Sequence, residues 1–461
     1  MISTKVVCVQ GLGFVGSAMA IAVASKLDAN ANPLYNVIGI DKENDIGKKR
    51  IESLSLGKFP FNTVDSNLQN ELSKAIDRGN LSATCKTDSF ASADIVLVSI
   101  NCDLVKKDNY EKIAIENFIS SLKSIAENIT EETLVIIEST VPPGTCEKII
   151  YPLFKRIFVK RNLNFKKFYL AHSYERVMPG KNYFDSIINY WRVYAGINKK
   201  STKICGDFLS SIIDTVNFPL KCLSSTASSE TGKLLENSYR AVNIALIEEW
   251  SRFAEEVGID LYEVIDAIRM RPTHSNIRQP GFGVGGYCLT KDPLFAKIGA
   301  RDLFGISGHN FPFSTKAIEV NNQMPLVTLN KLKDYFNGNL SNRKLLLMGV
   351  SYRQDVDDTR HSPSELFVRE AQKLGAQITA YDPLVEYWHE MDLKLPRAIP
   401  DFLQFDVVIF AVPHVEFQKI GFTELLEDQR LLIYDANKVL SKKQIKEIKD
   451  SKMDFQSIGR G

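Results

Sequence analysis

The sequence predicts an α/β protein with two Rossmann-like, doubly wound domains, joined by a long central helix and a helical dimerisation region. Three observations lead to this prediction. Short apolar runs of strand length alternate with helical stretches in the first 200 residues, and again beyond residue 340. A glycine-rich turn follows the first of these runs. Between the two α/β regions lies one uninterrupted helical stretch of about 30 residues, roughly 45 Å long. Such alternation is typical of a mostly parallel sheet.

Length and composition limit the possible functions. A chain of 461 residues has room for roughly three domains, and we expect them at residues 1–200, 201–325 and 326–461. The net charge of +2 offers little attraction for nucleic acid or an anionic membrane. Seven cysteines without a CxxC pair and six scattered histidines argue against a disulfide framework and a metal site, and they fit the reducing cytoplasm.

The uncharged run Val6–Ser25 has the length of a membrane span or a signal peptide. It contains Gln10 and three glycines, which a membrane helix would not need. A buried strand that turns into a buried helix explains the run better. We therefore expect neither a targeting segment nor a membrane partner.

The first predicted elements are a strand at Lys5–Gln10, the turn GLGFVG and a helix over Ser17–Leu27. In a G-x-G-x-x-G turn, the three glycines allow the tight turn, the approach of a pyrophosphate and the packing of helix on strand. Free amides at the helix N-terminus then hold the pyrophosphate. The alternative, a purely structural turn, is disfavoured by the strand before it and the helix after it. The predicted cofactor-binding residues are Gly11, Gly13, Phe14, Val15 and Gly16.

Asp41 ends the next predicted strand, Asn36–Ile40. A carboxylate at this position accepts a hydrogen bond from the adenosine ribose, which favours NAD over NADP. Its distance from the glycine turn exceeds the usual ~20 residues. We attribute the excess to the polar loop Asp28–Asn36.

Two polar loops, Ser139–Thr145 and Ser173–Gly180, directly follow predicted strands. Ligands of parallel sheets bind beyond the carboxyl ends of the strands, so both loops are candidates for a site. An ordinary surface turn remains the alternative for each. The further strands predicted in this half are Asp94–Ile100, Thr133–Glu138, Phe168–Ala171 and Arg192–Gly196.

The long helix is predicted over Thr226–Val257, with a broad apolar face suited to a spacer and a dimer interface. One stripe carries Lys233, Asn237 and Arg240, at positions i, i+4 and i+7. Such a stripe is usually solvated. A lysine and an amide beside an apolar face, ahead of a cysteine loop, favour stabilisation of an oxyanion instead.

The segment Gly281–Asp292, GFGVGGYCLTKD, has four glycines in six positions and then Cys288. Lys291 and Asp292 follow one helical turn later, and a helix is predicted from Thr290 through Ile298. A nearby ammonium or a helix N-terminus favours the thiolate, the nucleophilic form of cysteine. The alternative is a flexible loop that happens to carry a cysteine. The glycines, the lysine and the carboxylate together favour a nucleophile.

A second α/β region follows a linking helix predicted over Asn310–Phe336. After its first strand comes SYRQDVDDTR, which is not a glycine fingerprint, so a second dinucleotide is not expected. The strands predicted here are Arg343–Gly349, Gln377–Tyr381, Asp406–Phe410 and Leu431–Tyr434.

Six motifs occur in one order: GLGFVG, STVPPGT, ERVMPG, KLLENSYRAVNIAL, GFGVGGYCLTKD and GVSYRQDVDDTRHSP. In this combination the chain resembles the nucleotide-sugar 6-dehydrogenases, the family of UDP-glucose, UDP-N-acetylmannosamine and GDP-mannose dehydrogenases. The resemblance spans nearly the whole chain. It implies that residues 1–200 bind NAD and that residues 326–461 bind the nucleoside diphosphate of a UDP-sugar.

The resemblance also implies roles for individual residues. Cys288 would be the catalytic thiolate, and Asp292 would help to activate the hydrolytic water. Lys233 and Asn237 would stabilise the oxyanion and the substrate hydroxyls, and Glu175 would share in catalysis. For the two arginines after the second region's first strand, a surface ion pair with the nearby aspartates is the alternative. The other implied residues are Thr140, Lys291 and Arg360 at the cofactor, and Glu175, Arg176, Arg271, Gly281, Gly285 and Arg353 at the substrate.

One loop departs from the pattern of several family members. They carry a second glutamate four residues beyond the equivalent of Glu175, where this chain has Pro179, and Tyr174 replaces a usual proline. The ERVMPG version resembles the branch that acts on UDP-2-acetamido sugars, and a proline offers no hydrogen bond there. Lys291 is associated more with the UDP-glucose branch, so UDP-glucose is the alternative substrate.

The implied reaction is the NAD-dependent, four-electron oxidation of C6 to a carboxylate, through a thiohemiacetal and a thioester on Cys288. A cytoplasmic homodimer or larger homo-oligomer would thus supply precursors of a surface polysaccharide. One rival is a two-electron hydroxyacid dehydrogenase related to 6-phosphogluconate dehydrogenase, which lacks the cysteine loop and the second α/β region. The other is a non-catalytic nucleotide-sugar sensor, against which the joint presence of Cys288, Lys233, Asn237 and Asp292 speaks.

Overall fold

The computed structural model describes residues 4–107, 110–423, 431–451 and 453–461. The chain forms two compact units: Met1–Glu236 with Leu294–Asn310 is unit 1, and Asn237–Pro293 with Phe311–Gly461 is unit 2. Each unit contains a largely parallel sheet with helices, which confirms the predicted fold class. The three predicted domain boundaries remain a prediction.

The strands of unit 1 give it the architecture of a dinucleotide-binding fold. They are β1 (Lys5–Gln10), β2 (Tyr35–Ile40), β3 (Leu81–Thr84), β4 (Ile95–Val98), β5 (Asp103–Lys107), β6 (Tyr110–Ala114), β7 (Leu134–Ile137), β8 (Tyr169–His172), β9 (Val193–Gly196) and β10 (Lys221–Cys222). The main sheet has the order β10-β9-β8-β7-β4-β1-β2-β3, and β5 pairs with β6 in an antiparallel hairpin. Neighbouring strands of the main sheet run parallel, except for the antiparallel pair β8 and β9. The six strands β3-β2-β1-β4-β7-β8 follow the 3-2-1-4-5-6 order, whose switch point lies between β1 and β4.

Helices cover this sheet, and the first of them is buried on all sides. Those of the N-terminal part are α1 (Phe14–Ala24), α2 (Asp45–Ser55), α3 (Ser66–Asp77), α4 (Glu116–Asn128), α5 (Tyr151–Lys160), α6 (Asp185–Ile188) and α7 (Lys199–Ile212). Residues 16–24 of α1 are all buried, so the uncharged run at the N-terminus is the strand and core helix that we predicted. Among the described residues, no helix is long and apolar enough to cross a membrane.

The long helix α8 (Thr226–Val257) has the predicted bounds and contributes residues to both units. It is followed by α9 (Leu261–Arg269), α10 (Asp292–Phe304), α11 (Pro312–Tyr335), α12 (Pro363–Lys373) and α13 (Lys442–Lys449). The strands of unit 2 are β11 (Lys344–Met348), β12 (Gln377–Tyr381), β13 (Tyr387–Trp388), β14 (Leu393–Lys394), β15 (Val407–Phe410), β16 (Leu432–Asp435) and β17 (Asp454–Ser457). The main sheet is all parallel, in the order β12-β11-β15-β16-β17. This is the 2-1-3-4-5 order, with its switch point between β11 and β15.

The strands that the sequence analysis missed are short, polar or at an edge. β3 and β10 end the sheet of unit 1, β17 ends that of unit 2, and two hairpins stand apart from both sheets. Edge strands are paired on one side and carry fewer apolar residues than central parallel strands, which are buried on both faces. The continuous apolar runs that predicted the central strands are therefore absent from them.

Glu230, near the start of α8, anchors the loop that follows β7. Its carboxylate accepts hydrogen bonds from the backbone N–H groups of Gly144 at 2.6 Å and of Cys146 at 2.8 Å. The side chain is fully buried, and burial raises the pKa of Glu230 to about 7, although the two backbone donors oppose this. The helix and the loop are thus joined by a buried polar contact across more than 80 residues of sequence.

Replacing Glu230 by alanine should lower the free energy of unfolding by about 1–3 kcal/mol, because two buried N–H donors lose their acceptor. The exposed Glu249 on the same helix provides a matched control, and Glu249→Ala should change stability by less than about 0.5 kcal/mol. Thermal or urea unfolding of both variants makes the comparison. Equal effects would show that the anchor contributes nothing.

The pH dependence of stability offers a second readout of the same group. The Glu230 carboxyl titrates near 7 when folded against an ordinary value of 4.5, so the folded chain binds more protons between these values. Its contribution to the free energy of unfolding therefore falls as pH rises through this window. Glu230→Gln should lack that slope, so the free energy of unfolding of the wild type minus that of the variant should fall as the pH rises from 4.5 to about 7.

Candidate active site

The glycine-rich turn of unit 1 lies at the switch point between β1 and β4. Gly11 has φ +92, and a Cβ built on it would lie 2.7 Å from the carbonyl oxygen of Ser99, which follows β4. A Cβ on Gly16 would lie 1.8 Å from the carbonyl oxygen of Gly11. Both positions therefore require glycine for the turn to close.

Gly13 differs from the other two glycines, since a Cβ built on it would meet nothing within 4 Å. It is the N-cap of α1, and no side chain caps that end, so there is open space beside Gly13 at the positive end of the helix. This is the arrangement that a pyrophosphate requires. These residues fit the diphosphate of NAD.

Asp41 lies directly after β2, beside the glycine turn. Its carboxylate accepts hydrogen bonds from the Leu12 N–H at 3.2 Å and the Lys42 N–H at 2.8 Å. It also pairs with Arg50 at 3.2 Å. These contacts hold the carboxylate at the sheet edge where the adenosine ribose is predicted to bind, although its role there remains a prediction.

Thr140 is half-buried beyond the carboxyl end of β7. Two residues before it, Glu138 takes part in an ion pair that the sequence analysis missed. Arg192 pairs with Glu138, and both side chains are almost fully buried. Ser99 Oγ donates to Glu138 at 2.9 Å, and Arg192 Nε donates to Ser173 Oγ at 3.2 Å. The network connects loops at the ends of four strands, close in sequence to Thr140, which the resemblance places at the cofactor.

Two predicted residues, Lys233 and Glu175, meet in unit 1. The buried Lys233 ammonium donates to the Glu175 carbonyl oxygen at 2.8 Å and lies 3.6 Å from its carboxylate. An ammonium positioned in such a site can stabilise a negative oxygen on a substrate.

Arg176, predicted to bind substrate, is engaged by neighbours within unit 1. Its guanidinium pairs with Glu236, and it donates to the Trp191 carbonyl oxygen at 2.8 Å and to the Tyr174 hydroxyl at 3.2 Å. The Tyr174 hydroxyl donates in turn to Glu236 at 3.0 Å, and burial raises the pKa of Tyr174 to about 12. Arg176 therefore supports Tyr174, the residue that replaces the family's usual proline, and its contact with substrate stays a prediction.

Cys288 is exposed in unit 2, four residues before the first residue of α10. The backbone N–H of Asp292 donates to the Cys288 carbonyl oxygen at 3.0 Å, and Thr290 Oγ1 donates to the Gly286 carbonyl oxygen at 2.9 Å. The thiol is thus presented on a hydrogen-bonded turn that leads into a helix, as the sequence analysis expected.

Asp292 organises the polar groups next to this turn. Asn237 Nδ2 donates to one carboxylate oxygen at 2.9 Å, and Lys291 Nζ donates to the other at 2.8 Å. Asp292 is 1% exposed, and the two partners are buried as well. The Lys291 ammonium also lies 4.2 Å from the centre of the Tyr287 ring. Of the three residues on the predicted helical stripe, Lys233 and Asn237 are buried and Arg240 is exposed.

A pocket of about 280 Å³ opens in unit 2 at the switch point between β11 and β15. Loops that leave the carboxyl ends of β11, β15 and β16 meet there with the start of the cysteine loop. This is where ligands of such sheets bind. The lining residues are Phe282, Gly283, Ser351, Tyr352, Arg353, Gln354, Pro363, Ala411, Val412, Pro413 and Asn437.

The predicted arginines of unit 2 have different surroundings. Arg353 lines this pocket, whereas Arg360 forms a two-point contact with Asp358, at 2.8 and 2.7 Å. The ion pair that we considered as an alternative is therefore present for Arg360. Arg271 is exposed before a short 3₁₀ turn, and its role at the substrate stays a prediction.

The glycines of the cysteine loop are close to the pocket. A Cβ on Gly281 would lie 2.8 Å from Asn437 Oδ1, and one on Gly285 would lie 2.8 Å from Tyr352 Cβ. The sequence analysis named both glycines but neither partner. The position of Tyr352 and Asn437 just after the carboxyl ends of β11 and β16 is the sequence feature that could have indicated them.

Three family models match the chain. They describe the NAD binding domain, the central domain and the UDP binding domain of the UDP-glucose/GDP-mannose dehydrogenase family, and they cover residues 5–215, 227–323 and 346–442.

Individual proteins are similar over almost the full length. The UDP-N-acetyl-D-mannosamine dehydrogenase of Methanocaldococcus jannaschii is 30% identical over 90% of this chain and 87% of that protein. The NDP-N-acetyl-D-galactosaminuronic acid dehydrogenase of Ralstonia solanacearum is 25% identical over 96% of this chain and 98% of that one. The solved structure of UDP-D-ManNAc dehydrogenase from Pyrococcus horikoshii has a TM-score of 0.81 at 25% identity, and the match covers 99% of this chain and 100% of that one.

The glycine turn allows a matched pair of substitutions. Gly13→Ala should weaken NAD binding by about tenfold or more, ~1.4 kcal/mol, with unchanged melting temperature, because its Cβ enters the open space before α1. Gly16→Ala should lower both affinity and melting temperature, because its Cβ collides with Gly11. Titration of NAD and thermal unfolding measure the two effects. Unchanged NAD affinity in Gly13→Ala would show that the pyrophosphate binds elsewhere.

Proposed function

Because the chain belongs to the UDP-glucose/GDP-mannose dehydrogenase family, we propose that it oxidises C6 of a UDP-linked 2-acetamido hexose to a carboxylate. Membership of the family makes it an NAD-dependent oxidoreductase with a UDP-sugar substrate. The observation that carries the proposal is the exposed Cys288, presented on a turn beside the buried cluster of Asn237, Lys291 and Asp292.

The sulfur accounts for an oxidation that goes beyond the aldehyde. NAD, when bound, would accept a hydride from C6 in each of the two oxidations, and the C6 hydroxyl proton passes to solvent in the first. Cys288 adds to the C6 aldehyde, so that a C–S bond forms and the carbonyl oxygen gains negative charge. Loss of the second hydride turns this thiohemiacetal into a thioester. Water then breaks the C–S bond and releases the acid, and the thiolate is regenerated.

The polar residues of the site have distinct tasks in this route. Lys233 and Asn237 donate hydrogen bonds to the oxygen that becomes negative when sulfur adds. Asp292 holds Asn237 and Lys291 in orientation through its two oxygens, and it accepts a proton from the attacking water. Glu175 keeps the Lys233 ammonium in position.

Two observations support an acetamido sugar. The relatives described above are named for UDP-N-acetyl-D-mannosamine and for NDP-N-acetyl-D-galactosaminuronic acid, both of which carry an acetamido group. Pro179 also stands where a second glutamate would offer a hydrogen bond to a C2 hydroxyl, and proline makes a drier turn against which an acetamido methyl can pack. Lys291 favours the alternative, UDP-glucose.

The pocket in unit 2 suits the nucleotide. It lies at a switch point, and Arg353 offers a guanidinium that matches the geometry of phosphate oxygens. We assign the UDP moiety to this pocket and the NAD to the glycine turn of unit 1. A reducing cytoplasm is the compartment in which the Cys288 thiol stays available.

We also propose that two chains pair through α8. Large apolar side chains are exposed along one face of the helix, at spacings of seven, four, three and four residues. They are Tyr239, Leu246, Trp250, Phe253 and Val257. Exposed apolar surface with this periodicity is typical of helix pairing. Sedimentation of the wild type as a monomer at micromolar concentration would contradict the proposal.

Cys288→Ser should abolish acid formation, because the covalent step on sulfur is lost. NAD and UDP-sugar should still bind, because the loop that carries residue 288 is kept. Wild type should yield two NADH per sugar without free aldehyde. Absorbance at the NADH band, together with chromatography of the sugar products, gives both numbers. One NADH per sugar from the wild type would favour the two-electron hydroxyacid dehydrogenase.

Among UDP-sugars, the 2-acetamido hexoses should have the highest kcat/KM. A hydrogen bond that one sugar satisfies and another does not separates such values widely. Side-by-side kinetics with UDP-N-acetylmannosamine, its glucosamine and galactosamine analogues and UDP-glucose decide the point. A tenfold preference for UDP-glucose would mean that Pro179 has been misinterpreted.

A further inference from the structure

The loop that follows β11 packs against the loop that carries Cys288, mainly through Tyr352, with the His361 carbonyl oxygen beside it. A Cβ built on Gly286 would lie 2.7 Å from the ring of Tyr352, and one built on Gly285 would lie 2.8 Å from the Tyr352 Cβ. Side chains do not approach so closely, so Tyr352 can lie here because both residues are glycine. The ring therefore covers the backbone two residues before the thiol.

The backbone on the other side of Cys288 is held by its own turn. Thr290 Oγ1 bonds to the Gly286 carbonyl oxygen, and the Asp292 N–H bonds to the Cys288 carbonyl oxygen. These bonds fix the shape of the turn, but they lie within it. Contacts outside the turn place it on the body of unit 2: Tyr352 lies against Gly285 and Gly286, and the His361 carbonyl oxygen lies against Gly285.

Buried hydrogen bonds hold the loop that carries Tyr352. The Ser351 N–H donates to Asp382 at 3.0 Å, and Ser351 Oγ lies 3.1 Å from His414 Nε2. On its other side, His414 Nδ1 accepts from the Asp355 N–H at 3.1 Å. His414 and Asp382 are buried, so a shift of the loop would leave buried polar groups without partners. Tyr352 thus contacts the cysteine loop from a segment that buried hydrogen bonds hold in place.

The same loop lines the nucleotide pocket, through Tyr352 and its neighbour Arg353. One side chain therefore borders both the pocket and the turn that presents the thiol. Burial, with nearby negative charge, raises the pKa of Tyr352 to about 12. The phenol is therefore neutral at any working pH, and Tyr352 contacts Gly286 through its ring and Gly285 through its Cβ.

We propose that Tyr352 is a positioning residue, whose ring holds the Cys288 turn in the place where sulfur reaches the C6 aldehyde of a bound UDP-sugar. This inference rests on the proposed thioester route. Without the ring, the first oxidation proceeds because it does not need the sulfur. The C–S bond then forms too slowly, and the aldehyde leaves after one oxidation, with one NAD reduced per sugar released.

Three substitutions at this position test the role of the ring. Tyr352→Phe keeps the ring and serves as the matched control, with kcat within about twofold of wild type and two NADH per sugar. Tyr352→Leu and Tyr352→Ala should lower kcat for acid formation by about a hundredfold at saturating substrate. They should also lower the NADH yield towards one per sugar and release an aldehyde that a hydrazide reagent traps.

Gly286→Ala perturbs the same contact from the opposite side, because the three atoms nearest to its Cβ all belong to the Tyr352 ring, the first at 2.7 Å. It should reproduce the shortfall of NADH with the tyrosine in place, and it decides the question if the alanine variant at position 352 does not fold. NAD affinity and thermal unfolding of each variant establish that unit 1 and the fold are intact.

The outcomes separate this inference from the function on which it rests. Fewer than two NADH per sugar from the wild type would refute the thioester route itself. Two NADH from the wild type, with unchanged kcat and yield in Tyr352→Leu, would overturn the positioning role. A loss in Tyr352→Phe as large as that in Tyr352→Leu would also overturn it, because the hydroxyl and not the ring would then matter.

Discussion

Both candidate binding sites depend on one constraint, the parallel direction of the strands. Parallel strands deliver all their following loops to one edge of a sheet, and where the strand order reverses, neighbouring loops diverge and leave a crevice. In unit 1 this happens between β1 and β4, beside Gly11 and Ser99. In unit 2 it happens between β11 and β15, where the pocket opens. Within the described residues, each unit thus has a switch point of the kind at which nucleotides bind in parallel sheets.

Buried polar groups then fix the loops around these crevices. In unit 1, Glu230 holds the loop after β7, and Glu138 at the start of that loop pairs with Arg192. In unit 2, Asp382 and His414 hold the loop after β11. Each of these groups is buried and has partners, so displacing the loop would leave polar atoms without hydrogen bonds. A site that holds reacting groups in a defined geometry needs loops that are fixed in this way.

The candidate chemistry depends on charge as much as on position. Asp292 has both oxygens engaged by Asn237 and Lys291, so a carboxylate orients an amide and an ammonium next to the cysteine turn. Lys233 is held in the same manner by Glu175. Donors fixed before substrate binds stabilise a developing negative oxygen without reorganising. The paired carboxylates thus support donors as well as serving as candidates for proton transfer.

The sequence alone determined those features of the protein that a local pattern of residues encodes. Central strands, the bounds of α8 and the glycine turn follow from apolar runs, helical periodicity and backbone freedom, each contained within a few residues. The same reasoning pointed to Cys288, because glycines, thiol and charges lie in one segment. The tertiary structure decided the rest: Arg360 turns to Asp358, Arg176 to Glu236, and Tyr352 covers Gly286. Most of these partners lie far apart in sequence, and the edge strands likewise depend on neighbours. Such contacts depend on packing, which no local pattern records.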